Sequence, residues 1–177
     1  MEKFTNEEID LNLLPKYQEI NLNAPDPAYW KVILINLSIL FTVGAVGITM
    51  LIIFVEPVKA YSLYVVGGFL LIFALIFFLH SASFKRRGYA LREKDIIYKS
   101  GIVAETTSII PLNRIQHVAL DEGMFSRIYK LATLQIHTAG GATGHMHIAG
   151  IPVDQAKSIK EALLKKIDLL ESSTAEV

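Results

Sequence analysis

From Val32 to Val55, and again from Ala60 to Phe84, the chain carries no Asp, Glu, Lys or Arg, and only Glu56-Pro57-Val58-Lys59 separates the two runs. A hydrocarbon core of about 30 Å takes about 20 apolar residues as helix, so each run is long enough to cross a bilayer. The four residues between them leave room for a tight turn and nothing larger. Two runs of this length exceed what a chain of 177 residues can bury in water. Composition agrees, at 52% hydrophobic residues and a mean hydropathy of +0.41. We read spans at 32–55 and 61–80, joined by a turn at 56–60. A cleaved signal peptide would need a basic flank before the first run, a shorter apolar stretch and an Ala-x-Ala-like site, and the sequence offers none of these.

Positive residues are retained on the cytoplasmic side of a span. Lys85, Arg86 and Arg87 directly follow the second run, whereas the turn carries one Lys beside one Glu. Both termini are therefore expected on the cytoplasmic side. Tyr29 and Trp30 at the start of the first span, and Tyr61 and Tyr64 at the start of the second, fit interfacial aromatic belts.

Lipid gives helices no hydrophobic reason to associate, so close backbone approach at small residues supplies the packing. Ser38, Thr42, Ala45 and Thr49 recur at helical spacing and make one face. In an antiparallel hairpin turning near Val58, Thr49 comes level with Gly67 and Thr42 with Ala74, which predicts the closest approach at those two levels. The apolar stretches 32–55 and 63–79 hold no Asp, Glu, Lys, Arg or His, and such groups mark ion and proton pathways. That argues against a transporter or a channel.

Residues 1–31 carry three Lys and six Asp or Glu. Thr5-x-x-Glu8 before Ile9 has the form of a capping box; Pro15 limits that helix to about two turns, and Pro25 and Pro27 break the chain before Tyr29. A short helix resting on the membrane surface and a partly ordered tail both fit, the acidic face opposing attraction to anionic lipid.

After the basic cluster the pattern changes to short apolar segments divided by turn residues, the mark of strands. Tyr89–Arg92 and Ile96–Ser100 read as a hairpin about Glu93-Lys94-Asp95, and Gly101 provides the next turn. Further strands are expected at 103–110, 115–120, 133–138 and 145–148, with a helical turn or link over 124–131. Val153, Ala156, Ile159, Leu163, Leu164 and Ile167 then recur at helical spacing, predicting an amphipathic helix of about fifteen residues. A helix with one apolar face needs a sheet to cover. The soluble part, 85–171 with a tail at 172–177, should be an antiparallel β-sandwich or barrel capped by a C-terminal helix, making the whole an α+β membrane protein.

Four segments carry a family resemblance: Arg86-Arg-Gly-Tyr-Ala-Leu, Ile96-Ile-Tyr-Lys-Ser-Gly101, Pro111-Leu-Asn-Arg-Ile-Gln-His-Val118, and the run from Phe125 to Gly140. Together they resemble the bacterial PH-like membrane proteins of the YdbS type, over roughly residues 28–170. The resemblance implies a PH-like domain behind a membrane hairpin in the bacterial inner membrane. It also implies a non-enzymatic envelope role beside a larger relative with repeated copies of the domain, or self-association, and no cofactor. The usual Gly-Leu before the fifth strand is here Tyr129-Lys130-Leu131, a local departure.

Chemical constellations are sparse. With no cysteine, disulfides, thiolate metal sites and thiol nucleophiles are excluded. His145-x-His147, with His117 and His137 elsewhere in the domain, places two imidazoles on one strand face where a divalent ion could be held; no carboxylate accompanies them locally, so solvent-facing strand histidines are the preferred account. Gly140-Gly141-x-x-Gly144 lacks the helix and the Lys-Ser/Thr of a phosphate loop and reads as a hairpin tip. Ser83, Ser108 and Ser126 have no Gly-x-Ser-x-Gly setting. Residues 81–177 carry thirteen Lys or Arg against ten Asp or Glu, with no basic stripe interleaved with aromatics, so nucleic acid is not an expected partner. Lys85, Arg86, Arg87, Arg92, Lys94 and Lys99 remain candidates for anionic headgroups, against the plainer role of a stop-transfer cluster.

Overall fold

The computed structural model describes residues 20–102, 104–138 and 145–175, with side chains as far as residue 167. The expected capping box at Thr5 and the Gly140–Gly144 hairpin tip lie outside the described residues. The first apolar run is a helix, α1 (Pro27–Phe54); the second is α3 (Ser62–Arg86); a single helical turn, α2 (Glu56–Lys59), joins them. α1 starts earlier than the apolar run alone suggests because Asp26-Pro27 is a start signal. The Asp26 carboxylate accepts from the Ala28 N–H at 2.7 Å, and proline occupies the first helical position, where no N–H is needed. At the turn, the Lys59 ammonium donates to Glu56 at 2.7 Å.

The most apolar windows of α1 and α3 have mean hydropathies of 2.5 and 2.6, and only 6% and 0% of them is buried inside the protein. A core hairpin of a soluble fold would be covered; these faces are not, so their solvent is lipid.

The helices meet on a different stripe from the expected one. Phe41 packs against Phe69 and Phe73, with ring centroids 5.4 and 4.7 Å apart. A Cβ on Gly44 would sit 2.8 Å from the Phe69 ring, so Gly44 is the notch that admits it. Leu37, one turn earlier, is buried. The packed stripe thus runs through Leu37, Phe41 and Gly44, one residue round the helix from Ser38, Thr42, Ala45 and Thr49. Ser38, Thr42 and Thr49 are exposed and Ala45 half-buried, while Gly67 and Ala74 are exposed and a Cβ on Gly67 would meet nothing within 4 Å. The physical reason is twofold. The hydroxyls of Thr42 and Thr49 donate to the carbonyls of Ser38 and Ala45, at 2.9 and 2.8 Å, so they need no partner helix. And bulky aromatic rings fitted to one glycine bury more surface than small residues facing each other.

Beyond α3 the chain forms β1 (Gly88–Leu91), β2 (Asp95–Ser100) and β3 (Thr106–Pro111), an antiparallel sheet in sequence order. β3 starts later than expected. Gly101, at φ +125°, makes a turn so tight that a Cβ there would fall 2.0 Å from the Ala104 carbonyl oxygen, and pairing resumes only at Ser100 with Thr106. A 3₁₀ turn at Leu112–Arg114 leads to β4 (Ile115–Asp121), and the short helix α4 (Met124–Ile128) to β5 (Leu131–Thr138) and β6 (His145–Pro152). These three make a second antiparallel sheet, again in sequence order, and α5 (Val153–Ala175) closes the fold.

Alternation along the strands points Ile96, Val118, Leu134, Ile136 and Ile148 into one core between the sheets. Ala156, Ile159 and Leu163 of α5 enter the same core, with Val153 and Ile167 at its margin. Leu164, expected on that face, is instead 40% exposed, one residue beyond the buried stripe. α5 is also longer than the fifteen residues its apolar spacing marks.

The membrane hairpin is bound to the domain by main-chain contacts. Asn23 and Tyr89 exchange two backbone hydrogen bonds at 2.8 and 3.0 Å, and the Asp26 N–H donates to the Gly150 carbonyl at 2.8 Å. Leu22 lies against Gly88 and Tyr29 against Gly150, each too close for a side chain on the glycine. Lys31 stands over the Tyr129 ring at 5.9 Å. The helices and the domain therefore share a packed junction.

Candidate functional site

The six basic residues singled out above separate into distinct settings. Arg86 donates to the Ile102 carbonyl at 2.8 Å and lies 4.0 Å from Glu105, which also receives Lys99 at 2.8 Å. Those two cations hold the Glu105 carboxyl below the ordinary glutamate range, the Lys99 hydrogen bond foremost. Arg87 donates through Nε and Nη2 to the Ser83 hydroxyl, 3.2 Å each, one turn back on α3. Arg92 forms a two-bond fork on Asp95 across the β1–β2 turn.

Lys85 and Lys94 have no ion pair among the described residues. The strand register, Gly88 with Lys99 and Leu91 with Ile96, puts Arg92 and Lys94 at the far end of the first hairpin from Lys99 and the end of α3. The structure does not bring the six together as one basic surface. Two sit at the opposite end of a hairpin, and three of the others are held by Glu105 or Ser83.

His80, missed by the sequence reading, lies on α3 a turn before the basic cluster. Its Nδ1 is 2.9 Å from the Ile76 carbonyl, and it lines a cleft of about 290 Å³ with Tyr29, Asn36 and Arg87.

Between the two sheets lies an open seam. β3 and β6 are each the terminal strand of their sheet, and a groove of about 370 Å³ is lined by Tyr98, Ser108, Ile109 and Ile110 from one side and His145 and His147 from the other. Burial raises the Tyr98 phenol above its ordinary value, with the charge of Arg87 opposing. Ile109 is exposed on the groove. An edge strand with free backbone groups beside an exposed isoleucine is a pairing surface in physical terms.

The histidines are arranged differently from the expected pair. His145 and His147 share the outer face of β6, but the close neighbours are across strands. Register pairs His117 with His137 and His137 with His145, giving a row over β4, β5 and β6. His137 Nδ1 and His145 Nδ1 are 2.8 Å apart, and the His117 and His137 ring centroids are 5.8 Å apart. Periodicity assigned the faces; which strands would be neighbours was not written in the spacing.

A two-helix membrane anchor fused through a packed junction to a two-sheet, helix-capped domain defines a membrane-tethered PH-like protein. The bacterial PH domain model matches residues 36–167, most of the chain, and the protein belongs to that family. Two transmembrane proteins of Bacillus subtilis (strain 168) are similar to it. YdbT is 32% identical over 83 residues, 46% of this chain and 17% of YdbT. YdbS is 32% identical over 88 residues, 50% of this chain and 54% of YdbS. The chain thus spans about half of the shorter relative and far less of the longer. No solved structure matches the chain.

Proposed function

We propose that the protein is a non-enzymatic, membrane-anchored interaction module. In this reading its PH-like domain lies on the cytoplasmic side of the bacterial inner membrane and binds a partner membrane protein with related PH-like domains, within an envelope-maintenance complex. The observation that carries this reading is the seam, where two terminal strands, β3 and β6, flank a groove bearing the exposed Ile109. Free strand edges take a further strand from another chain by main-chain hydrogen bonds. The packed junction supports it as well, because a partner held at the seam is then fixed relative to the membrane helices. The similarity to YdbT, of which this chain matches only a small share, makes a longer relative the first partner to seek.

The test is purification of the full chain from its native membranes in mild detergent, beside Ile109→Lys. A membrane protein carrying PH-like domains should accompany the unaltered chain and be lost from the variant. Recovery of the chain alone, as a single copy, would overturn the proposal. A homo-oligomer lost in Ile109→Lys would place a second copy at the seam.

Recognition of anionic headgroups is the second reading, resting on Lys85 and Lys94, the two of the six with neither an ion pair nor a side-chain hydrogen bond among the described residues. It is the weaker one, because Arg86, Arg92 and Lys99 are already engaged by Glu105 and Asp95. Enrichment of phosphatidylglycerol over phosphatidylcholine around the full chain in mixed nanodiscs, abolished by Lys85→Gln with Lys94→Gln, would reverse that order.

A further inference from the structure

We propose that the histidine row on the second sheet is a binding site for a late first-row divalent cation such as Zn²⁺ or Cu²⁺, with His137 and His145 as its chelating pair. Four of the five histidines of the chain lie on the outer face of this one sheet. His117, His137 and His145 form one cross-strand row, and the next is Ala119, Gln135 and His147. The nearest carboxylate on that face by register is Asp121, two rows along, paired with Thr133.

Two imidazoles with Nδ1 atoms 2.8 Å apart have two ways to coexist. One donates a proton to the other, or both turn their lone pairs on a shared cation. Metal–imidazole bonds of about 2.0–2.1 Å at a tetrahedral angle separate the two nitrogens by about 3.3 Å. Rotation of the rings by about half an ångström converts the present contact into that geometry.

A ligand imidazole must be neutral. Among the described residues no three His, Asp or Glu side chains already converge on one point. The pair is therefore the primary ligand set, completed by water, with His117 and His147 the candidates for a third imidazole after a change of rotamer. Imidazole donors without thiolate or carboxylate select Zn²⁺, Cu²⁺ and Ni²⁺ over Mg²⁺ and Ca²⁺. The site would bridge β5 and β6 beside the groove, since His145 and His147 also line it, and it stands independently of the identity of any partner.

The experiment uses the full chain in detergent micelles, carrying an affinity tag without histidine. Zn²⁺ is titrated against a chelating dye, and Cu²⁺ is added for electron paramagnetic resonance. One ion per chain is expected, with nitrogen hyperfine structure from at least two imidazoles. His137→Ala and His145→Ala should each weaken Zn²⁺ binding at least tenfold, while His80→Ala, on α3, leaves it unchanged. His137→Gln serves as a second variant should His137→Ala melt at a lower temperature than the unaltered chain. Absence of stoichiometric binding, an oxygen-only copper signal, or equal affinity of the His137 and His80 variants would overturn the proposal.

Discussion

Tyr29, in the first turn of the first membrane helix, lies so close to Gly150 of β6 that a Cβ on residue 150 would fall 2.7 Å from the Tyr29 ring. Gly150 also has φ +82°, in the left-handed region. Steric closeness and backbone conformation thus demand glycine at one point, and that point is where the membrane anchor meets the domain. Gly150→Ala is expected to cost about 3 kcal/mol, summing a left-handed penalty of ~1–2 and an overpacking penalty of ~1–3. For a chain of this size that lowers the melting temperature in detergent by roughly 6–12 °C. Gly123→Ala, where the nearest atom to a Cβ is 3.7 Å away, is the control and should change it little.

The notch at Gly44 gives a sharper test of the hairpin. Gly44→Leu drives a side chain into Phe69 and should destabilise the helix pair by about 1–3 kcal/mol. Gly47→Leu, three residues on and facing open space, should stay within about 0.5 kcal/mol. Comparing the thermal melts of the two variants in micelles decides whether the contact stripe is the one through Phe41 and Gly44. Equal effects would contradict it.

Among the described residues Lys130 is the non-glycine residue with positive φ, at +53°. Its backbone is fixed at both ends: the N–H donates to the Arg127 carbonyl at 3.1 Å, and its own carbonyl accepts from Val153 at 3.0 Å. The chain cannot relax there. Lys130→Gly should therefore stabilise the protein by about 1 kcal/mol, the cost of holding an L side chain left-handed. A rise in melting temperature of roughly 2–4 °C is the expected reading, and a fall would show that the lysine side chain contributes more than its strain.

Glu105 offers a pH signature. Its carboxyl is held below the ordinary range, first by the Lys99 hydrogen bond and charge and then by Arg86. A group whose folded value is depressed contributes stability that is fully present above its unfolded value and is lost as pH falls through the folded one. The contribution therefore disappears only on the acid side of the ordinary glutamate range. Lys99→Gln should move the Glu105 titration, followed by carboxyl carbon NMR, upward toward the ordinary value. No movement would mean that the Lys99 contact is not formed in solution.

What was legible in the sequence follows from one-dimensional physics. Two uncharged runs of more than twenty residues are long enough to cross a bilayer, and strand alternation followed by helical spacing from Val153 onward points to a sheet covered by a helix. The boundaries that moved were set by local chemistry: Asp26-Pro27 starts the first helix early, and the Gly101 turn delays β3. Only the tertiary structure decided which residues meet. The contact stripe of the hairpin fell one residue from the small-residue face because Phe41, Phe69 and Phe73 needed the Gly44 notch, and because threonine hydroxyls are satisfied within their own helix. The close histidine pair is His137 with His145, not His145 with His147, because cross-strand neighbours approach more closely than residues two apart on one strand. The fate of four of the six basic residues was settled by Glu105, Asp95 and Ser83, partners the linear pattern did not identify. Periodicity depends on each residue's own place in the chain, whereas a contact depends on two, and the second is supplied by the fold.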